Sequence, residues 1–201
     1  MITNVGAVGR SVELSAAPVT PEPLLAMPDG DRYELIDGKL VKRNSGAESN
    51  HIAATIMRLL GNHVAARRLR PVFGPDRGYQ IFSDHPNPVR FPDGSFIGRG
   101  RLPDERVPDG HIKIPPDLAV EVVSPNDTPE EVEAKRVEYR RAGMDVLWII
   151  YPGARTVRVH RKEGQASFLD EKDELRGEGT LQGFACKVSE LCEGLREQAF
   201  A

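Results

Sequence analysis

The chain of 201 residues is short of the features that mark several protein classes. It has only two cysteines, Cys186 and Cys192, with no histidine beside them, which excludes a zinc-type ligand spacing. They read as ordinary buried or half-exposed thiols rather than a disulfide, and a reducing, cytoplasmic compartment follows as the default. No apolar run approaches the roughly 18 residues needed to cross a bilayer, so no membrane association is expected. The start, Met1 to Thr20, holds one arginine and no compact apolar block, which predicts no secretory leader. Internal repeats and low-complexity tracts are missing. Positive charge is not in excess either: the formal net charge is −3, which argues against coating nucleic acid by charge alone. A metal-dependent nuclease stays open, because such a site gathers carboxylates whose charge a bound cation offsets.

What is present fits one globular unit. Apolar residues make up 39% and charged residues 28%, enough for a core without the excess charge of a disordered chain. Residues 1–27, with Pro18, Pro21 and Pro23, are expected to be a loosely ordered arm. Residues 28–195 form the expected domain, and 196–201 a tail. "YELIDGKLVKR" (33–43) predicts a hairpin turning at Asp37-Gly38. Ser49 or Asn50 is the expected cap of a helix whose apolar face is Ile52, Ile56, Leu59, Leu60 and Val64, ending near Arg68. Residues 74–82 and 90–98 are expected strands or strand entries. "RGRLPDERVPDGHIK" reads as an exposed loop. Leu118–Val123 is apolar apart from Glu121, as in a central strand buried on both faces. Thr128-Pro129-Glu130-Glu131 opens a helix with a capping box, and Gly143 closes it. "DVLWIIYP" is a second buried strand, paired through Pro152-Gly153 with "ARTVRVHRK". The tail carries a weaker strand or two and a short helix near Ser189–Leu195. This order predicts a mixed sheet flanked by helices, α/β or α+β.

Four residues stand out chemically. Glu121 interrupts "LAVEVV", where an unpaired buried carboxylate would cost several kcal/mol. It is half of a structural ion pair, or stands at a strand end where it reaches solvent, or is a metal ligand projecting from a sheet edge. Asp93, in "RFPDGSF", follows a proline at a strand entry, a place where loop aspartates are common. Lys135 shares a helix face with Val132 and Tyr139, which turns it inward unless its stem packs and its ammonium snorkels to water. Glu34 lies between Tyr33 and Leu35 on the first strand, at a position that also suits a solvent-facing carboxylate.

Six stretches occur in an order that resembles the PD-(D/E)XK nuclease superfamily, and more closely the Uma-type family of bacterial restriction-endonuclease-like proteins. They are "YELIDGKLV", the helix opening near His51, "RFPDGSFI", "PPDLAVEVVSPNDT", "KRVEYRRAGMDVLWIIYP" and "LQGFACKVSEL", together spanning about residues 28 to 193. The resemblance implies a restriction-endonuclease-like sheet. It assigns Asp93 to the Pro-Asp element, Glu121 to the acidic position of (D/E)-X-K, and Glu34 to the early glutamate of the acidic cluster. Val123 stands where the lysine usually does, and Lys135 on the following helix takes its part. Asp93, Glu121, Glu34 and the Val122 carbonyl would hold Mg²⁺ or Mn²⁺. His51 would support the cleft. Departures lie at Gly94, Val146 and Tyr151.

The expectation is thus a metal-dependent DNA endonuclease, working as a homodimer because two strands need two sites. Arg67, Arg68, Arg70, Arg99, Arg101, Arg140 and Arg141 are candidate phosphate contacts. A catalytically inactive nucleic-acid-binding or regulatory module, and a hydrolase of small phosphoesters, are the alternatives.

Overall fold

In the computed structural model the described residues are 18–44, 46–69, 72–82 and 87–195. The arm expected over 1–27 is only partly outside them. Pro21–Ala26 (α1) is helical and drives Leu24 under the first hairpin, so 18–27 belong to the folded unit. Residues 1–17, Arg70 and the 196–201 tail lie outside the described residues.

Tyr33–Ile36 (β1) and Lys39–Lys42 (β2) pair antiparallel, with Ile36 opposite Lys39. The two residues between them, Asp37 and Gly38, both have positive φ (48° and 75°). That backbone is what an Asp-Gly pair tolerates in a two-residue hairpin. The next helix, Ala47–Ala66 (α2), starts before the expected cap. Ser49 lies one turn inside it, and its hydroxyl accepts the Gly46 N–H at 2.9 Å. No strand forms over 74–82 as expected: the ladder is Val72–Phe73 (β3), just before it, and beyond it only Tyr79 makes bridges, to Arg90 and Ile112. Gly74, Pro75 and Gly78 explain the loss, since proline gives no ladder donor and glycine orders poorly in a strand.

The main sheet then runs β3–β4–β5–β6–β7–β8. Its members are Gly94–Phe96 (β4), Leu118–Val122 (β5), Val146–Tyr151 (β6), Thr156–Arg161 (β7) and Ala166–Leu169 (β8). Only β5 and β6 are parallel, and Pro129–Arg141 (α3) is the crossover such a pair requires. The capping box at its start is present: Thr128 Oγ1 accepts the Glu131 N–H at 3.2 Å and Glu131 Oε2 accepts the Thr128 N–H at 2.8 Å. Gly143, at φ 81°, ends it. Glu174–Arg176 (β9) and Ala185–Lys187 (β10) form a separate ribbon, followed by Val188–Leu191 (α4).

Alternation along the buried strands sorts the core into two layers. Leu118, Val120, Val122, Trp148 and Ile150 face α2, packing on Ile52, Ile56 and Leu60. Ala119, Leu147 and Ile149 face α3 and pack with Tyr139. Glu121 therefore points to the α3 side, into a layer that buries apolar neighbours. Cys186 and Cys192 are buried free thiols, and burial pushes the Cys186 thiol up to about 12, which makes it unreactive at neutral pH.

Gly94, one of the departures from the family pattern, has a packing reason. A Cβ there would stand 2.3 Å from Met57 Sδ, so α2 fills from across the interface the space an apolar side chain would occupy. Gly94→Ala should destabilise the fold by about 1–3 kcal/mol through overpacking. Gly94→Ala with Met57→Ala should recover most of that loss in denaturant titration. An additive double mutant would show that the two residues do not share this space.

Candidate active site

The site begins where β4 fails to continue. Gly94 pairs with Val120, and two residues further along the register would set Pro92 opposite Val122. Proline has no N–H, so the ladder stops there. The neighbouring Asp93 side chain replaces it: Asp93 Oδ2 accepts the Val122 N–H at 2.7 Å. The N–H and C=O of one strand residue point to the same edge. The Val122 carbonyl is thus also directed at the Asp93 side, where Pro92 has nothing to donate. A Pro-Asp pair at a strand entry supplies a carboxylate and frees a carbonyl in one step.

Glu121 is buried and both its oxygens are engaged. Lys135 Nζ donates to Oε2 at 3.0 Å, and the Tyr139 hydroxyl donates to Oε1 at 2.8 Å. Lys135, about a quarter exposed, also lies 3.7 Å from Glu34 Oε1. Glu34 accepts Arg90 Nη1 at 2.8 Å on Oε2 and the Phe91 N–H at 3.3 Å on Oε1. Arg90 in turn makes a two-bond fork to Glu138, each bond 2.8 Å. One turn of α3 (Lys135, Glu138, Tyr139) therefore grips both β5 and the β1–β2 hairpin.

The charges follow from these contacts. Burial and the nearby Glu121 carboxylate raise Asp93 to about 7, against the Val122 N–H and Lys135, which lower it. Among the described residues Asp93 Oδ1 has no hydrogen-bond partner. Burial works against the Lys135 ammonium, but Glu121 and Glu34 outweigh it and hold the proton well above the ordinary lysine value. Burial likewise opposes Glu34, yet Lys135 and Arg90 bring it below the usual carboxylate range. Glu121 is thus paired with Lys135, while Asp93 has no cationic partner within ion-pair distance among the described residues.

Asp93, Glu121, Val122, Lys135 and Glu34 line a common cleft of about 280 Å³ between α3 and the hairpin. Seven carboxylates and four cationic side chains line it, so the cleft repels a polyanion unless further positive charge enters. Among the described residues no three His, Cys, Asp or Glu side chains gather at metal-binding spacing, so no closed protein cage is built. A larger groove of about 540 Å³, walled by α1 and the 102–114 loop, contains none of these groups.

One expectation is corrected. His51 does not reach the cleft: its Nε2 lies 2.9 Å from the Glu193 carbonyl, because the buried face of α2 carries Ile52 and Ile56 and turns His51 towards the C-terminal segment. Among the candidate phosphate contacts, Arg67 donates to the Gln182 carbonyl, Arg99 to the Arg68 carbonyl, and Arg101 pairs with Asp117 at 2.9 Å. The cleft's cations are instead Lys42, Arg43, Arg90 and Lys135.

The sequence reading missed Arg90, Glu138 and Tyr139. Arg90 stood unremarked at the head of "RFPDG", and its partners lie 56 and 48 residues away. Tyr139 was legible as part of the inward helix face but not as a hydroxyl aimed at Glu121. The Val146 and Tyr151 departures fall outside the cleft, at the two ends of β6.

Comparison with known proteins bears on the fold and the family. A solved structure described as "a putative nuclease belonging to DUF820 from Anabaena variabilis" superposes with a TM-score of 0.72. The two share 21% identity, over 87% of this chain and 98% of that one. No curated protein matches the chain. The family model Uma2, "Putative restriction endonuclease", matches residues 21–189. On that match the chain belongs to the Uma2 family.

Proposed function

We propose that the chain is a metal-dependent DNA endonuclease that hydrolyses phosphodiester bonds in the cleft of Asp93, Glu121 and Lys135. The observation that carries this reading is that Asp93 and Glu121 line one cleft with Lys135, beside the Val122 backbone that Pro92 leaves without a ladder donor. Two carboxylates and a carbonyl are hard oxygen donors, a set that suits Mg²⁺ or Mn²⁺, ions that keep several waters and need only one or two protein carboxylates. Such an ion would lower the pKa of a coordinated water and clamp the scissile phosphate.

The protein's own groups then have separable tasks. Asp93, Glu121 and the Val122 carbonyl hold the cation. Lys135 keeps its proton at neutral pH, so it serves as a donor rather than a base, orienting the attacking water and stabilising charge on the phosphoryl oxygens. Glu34, committed to Arg90 and the Phe91 N–H, fixes Lys135 from the hairpin side; service to a second metal or a metal-bound water would require Arg90 to yield. Cutting both strands of a duplex needs two such sites, which a homodimer provides.

The test is cleavage of supercoiled plasmid and of short single-stranded and duplex DNA with Mg²⁺ or Mn²⁺, against EDTA and against Asp93→Asn. Cutting that needs the metal and vanishes in the variant supports the reading. Metal binding without cutting of any of these substrates would favour a nucleic-acid-binding or regulatory module with the same fold.

Tyr139→Phe provides a second check, since it removes one hydroxyl from the back of Glu121. Loss of a group that orients a metal ligand typically costs 10–100-fold in affinity or activity. Mn²⁺ affinity should fall by about that factor in a titration that needs no substrate. Unchanged affinity would mean that Glu121 does not hold the metal in this orientation.

A further inference from the structure

Across the sheet from the cleft, on the same face, lies a second chemical feature. The register runs Glu121 opposite Ile149, Ile149 opposite Arg158, and Arg158 opposite Phe168. α3 covers the first two positions, and the last two are open. Phe168 is 71% exposed, the most open large apolar side chain among the described residues. The Arg158 guanidinium lies over its ring, 5.4 Å from the centroid, and over the Tyr151 ring at 4.6 Å.

Arg158 differs from the arginines around it. Arg155 pairs with Glu171, Arg161 with Glu178, and Arg136 with Glu133, which neutralises the carboxylate nearest Tyr151. Arg158 has no carboxylate partner among the described residues, and neither has Arg140 at the end of α3. Arg158 thus stands as an exposed cation between two aromatic rings, on the strand next to the sheet edge that carries Phe168. It offers an anion a charge and a flat group a π face at the same place.

The geometry points to Tyr151, Arg158 and Phe168 as a stacking platform for unpaired bases of a nucleic-acid strand. Each base has a π face, and aromatic and arginine side chains bind such faces with little regard to sequence. A duplex hides those faces in its own stack, so the platform selects single-stranded ends, flaps or loops. Along this row Arg158 lies roughly 10 Å from Glu121 across two inter-strand spacings, and Phe168 about 14 Å across three. A strand held there leads towards the cleft from the side of α3 opposite the hairpin. The platform thus narrows the substrate class of the proposed nuclease, and it rests on that reading.

The experiment is fluorescence-anisotropy binding of the full chain, in EDTA so that no cutting occurs, to a labelled single-stranded oligonucleotide and to the blunt duplex of the same sequence. Phe168→Ala and Arg158→Met are compared with the wild type, with chromatography to record oligomeric state. Both side chains are exposed, so the fold should be retained. Each variant should lose roughly five- to hundred-fold in single-strand affinity and less than about twofold on the duplex. Unchanged single-strand affinity overturns the platform. So does an equal loss on both ligands, which would mark a phosphate contact without stacking, or a change of oligomeric state alone, which would mark an interface between copies. A wild type that cuts DNA yet shows no single-strand preference overturns the platform and leaves the nuclease standing. A wild type that neither binds nor cuts removes both.

Discussion

Glu121→Gln should reduce metal-dependent cleavage about a thousandfold or more, the rate equivalent of several kcal/mol of lost charge stabilisation. The substitution keeps the shape of the side chain and an oxygen for the Tyr139 hydroxyl, while removing the charge that holds a cation. Lys135 still has Glu34 at 3.7 Å, so the cleft keeps a counter-ion and the fold should melt within a few degrees of wild type. The informative contrast is Lys135→Met. That variant should also cut slowly, by about 10²–10³-fold, but should retain Mn²⁺ binding because both ligating carboxylates remain. Glu121→Gln should lose both. If Glu121→Gln bound Mn²⁺ like wild type and cut at the same rate, the carboxylate would be no more than a buried partner for Lys135 and Tyr139.

The second large effect concerns stability. Arg90 is 4% exposed and links Glu34, 5% exposed, to Glu138. Arg90→Met strands the buried Glu34 carboxylate and unpairs Glu138, whose side chain is 30% exposed, and breaking a buried pair from one side costs about 3–5 kcal/mol. Against a total stability of ~5–15 kcal/mol for a domain, that is a large share. The midpoint of thermal unfolding should fall by roughly 10 °C, from about 2–4 °C per kcal/mol at this chain length. Adding Glu34→Gln and Glu138→Gln to Arg90→Met should restore part of the loss, since no unpaired charge is then left inside. A triple variant less stable than Arg90→Met alone would show that these carboxylates are held by something other than Arg90.

How much of this was legible in the sequence depended on range. The Asp37-Gly38 turn and the Thr128–Glu131 cap are decided by neighbours two or three residues apart, and both appear where the pattern put them. The inward face of α3 was equally readable, because Val132, Lys135 and Tyr139 follow helical spacing. The start of α2 was less so, since Gly46 does the capping with the help of Ser49, and a glycine cap carries no side-chain signal. The network behind the site was not readable from pattern at all. Arg90 reads as one more charge before a proline, and only the packing of β1 and α3 around it turns it into a buried hub. The same is true of His51, whose position at a helix opening does not reveal which neighbour the helix turns it towards.

Val123 in place of a strand lysine has a further consequence. The ammonium is delivered by a separate helix, which joins the rest of the site through the Lys135, Glu138 and Tyr139 contacts on one turn. Partial opening of that helix would withdraw the ammonium, release Glu121 and loosen the hairpin while the six strands stayed paired. Integrity of the site and global folding should then behave as two cooperative units rather than one. Amide exchange along 129–141 should report the loss of the first at temperatures or denaturant concentrations where the strands are still fully protected.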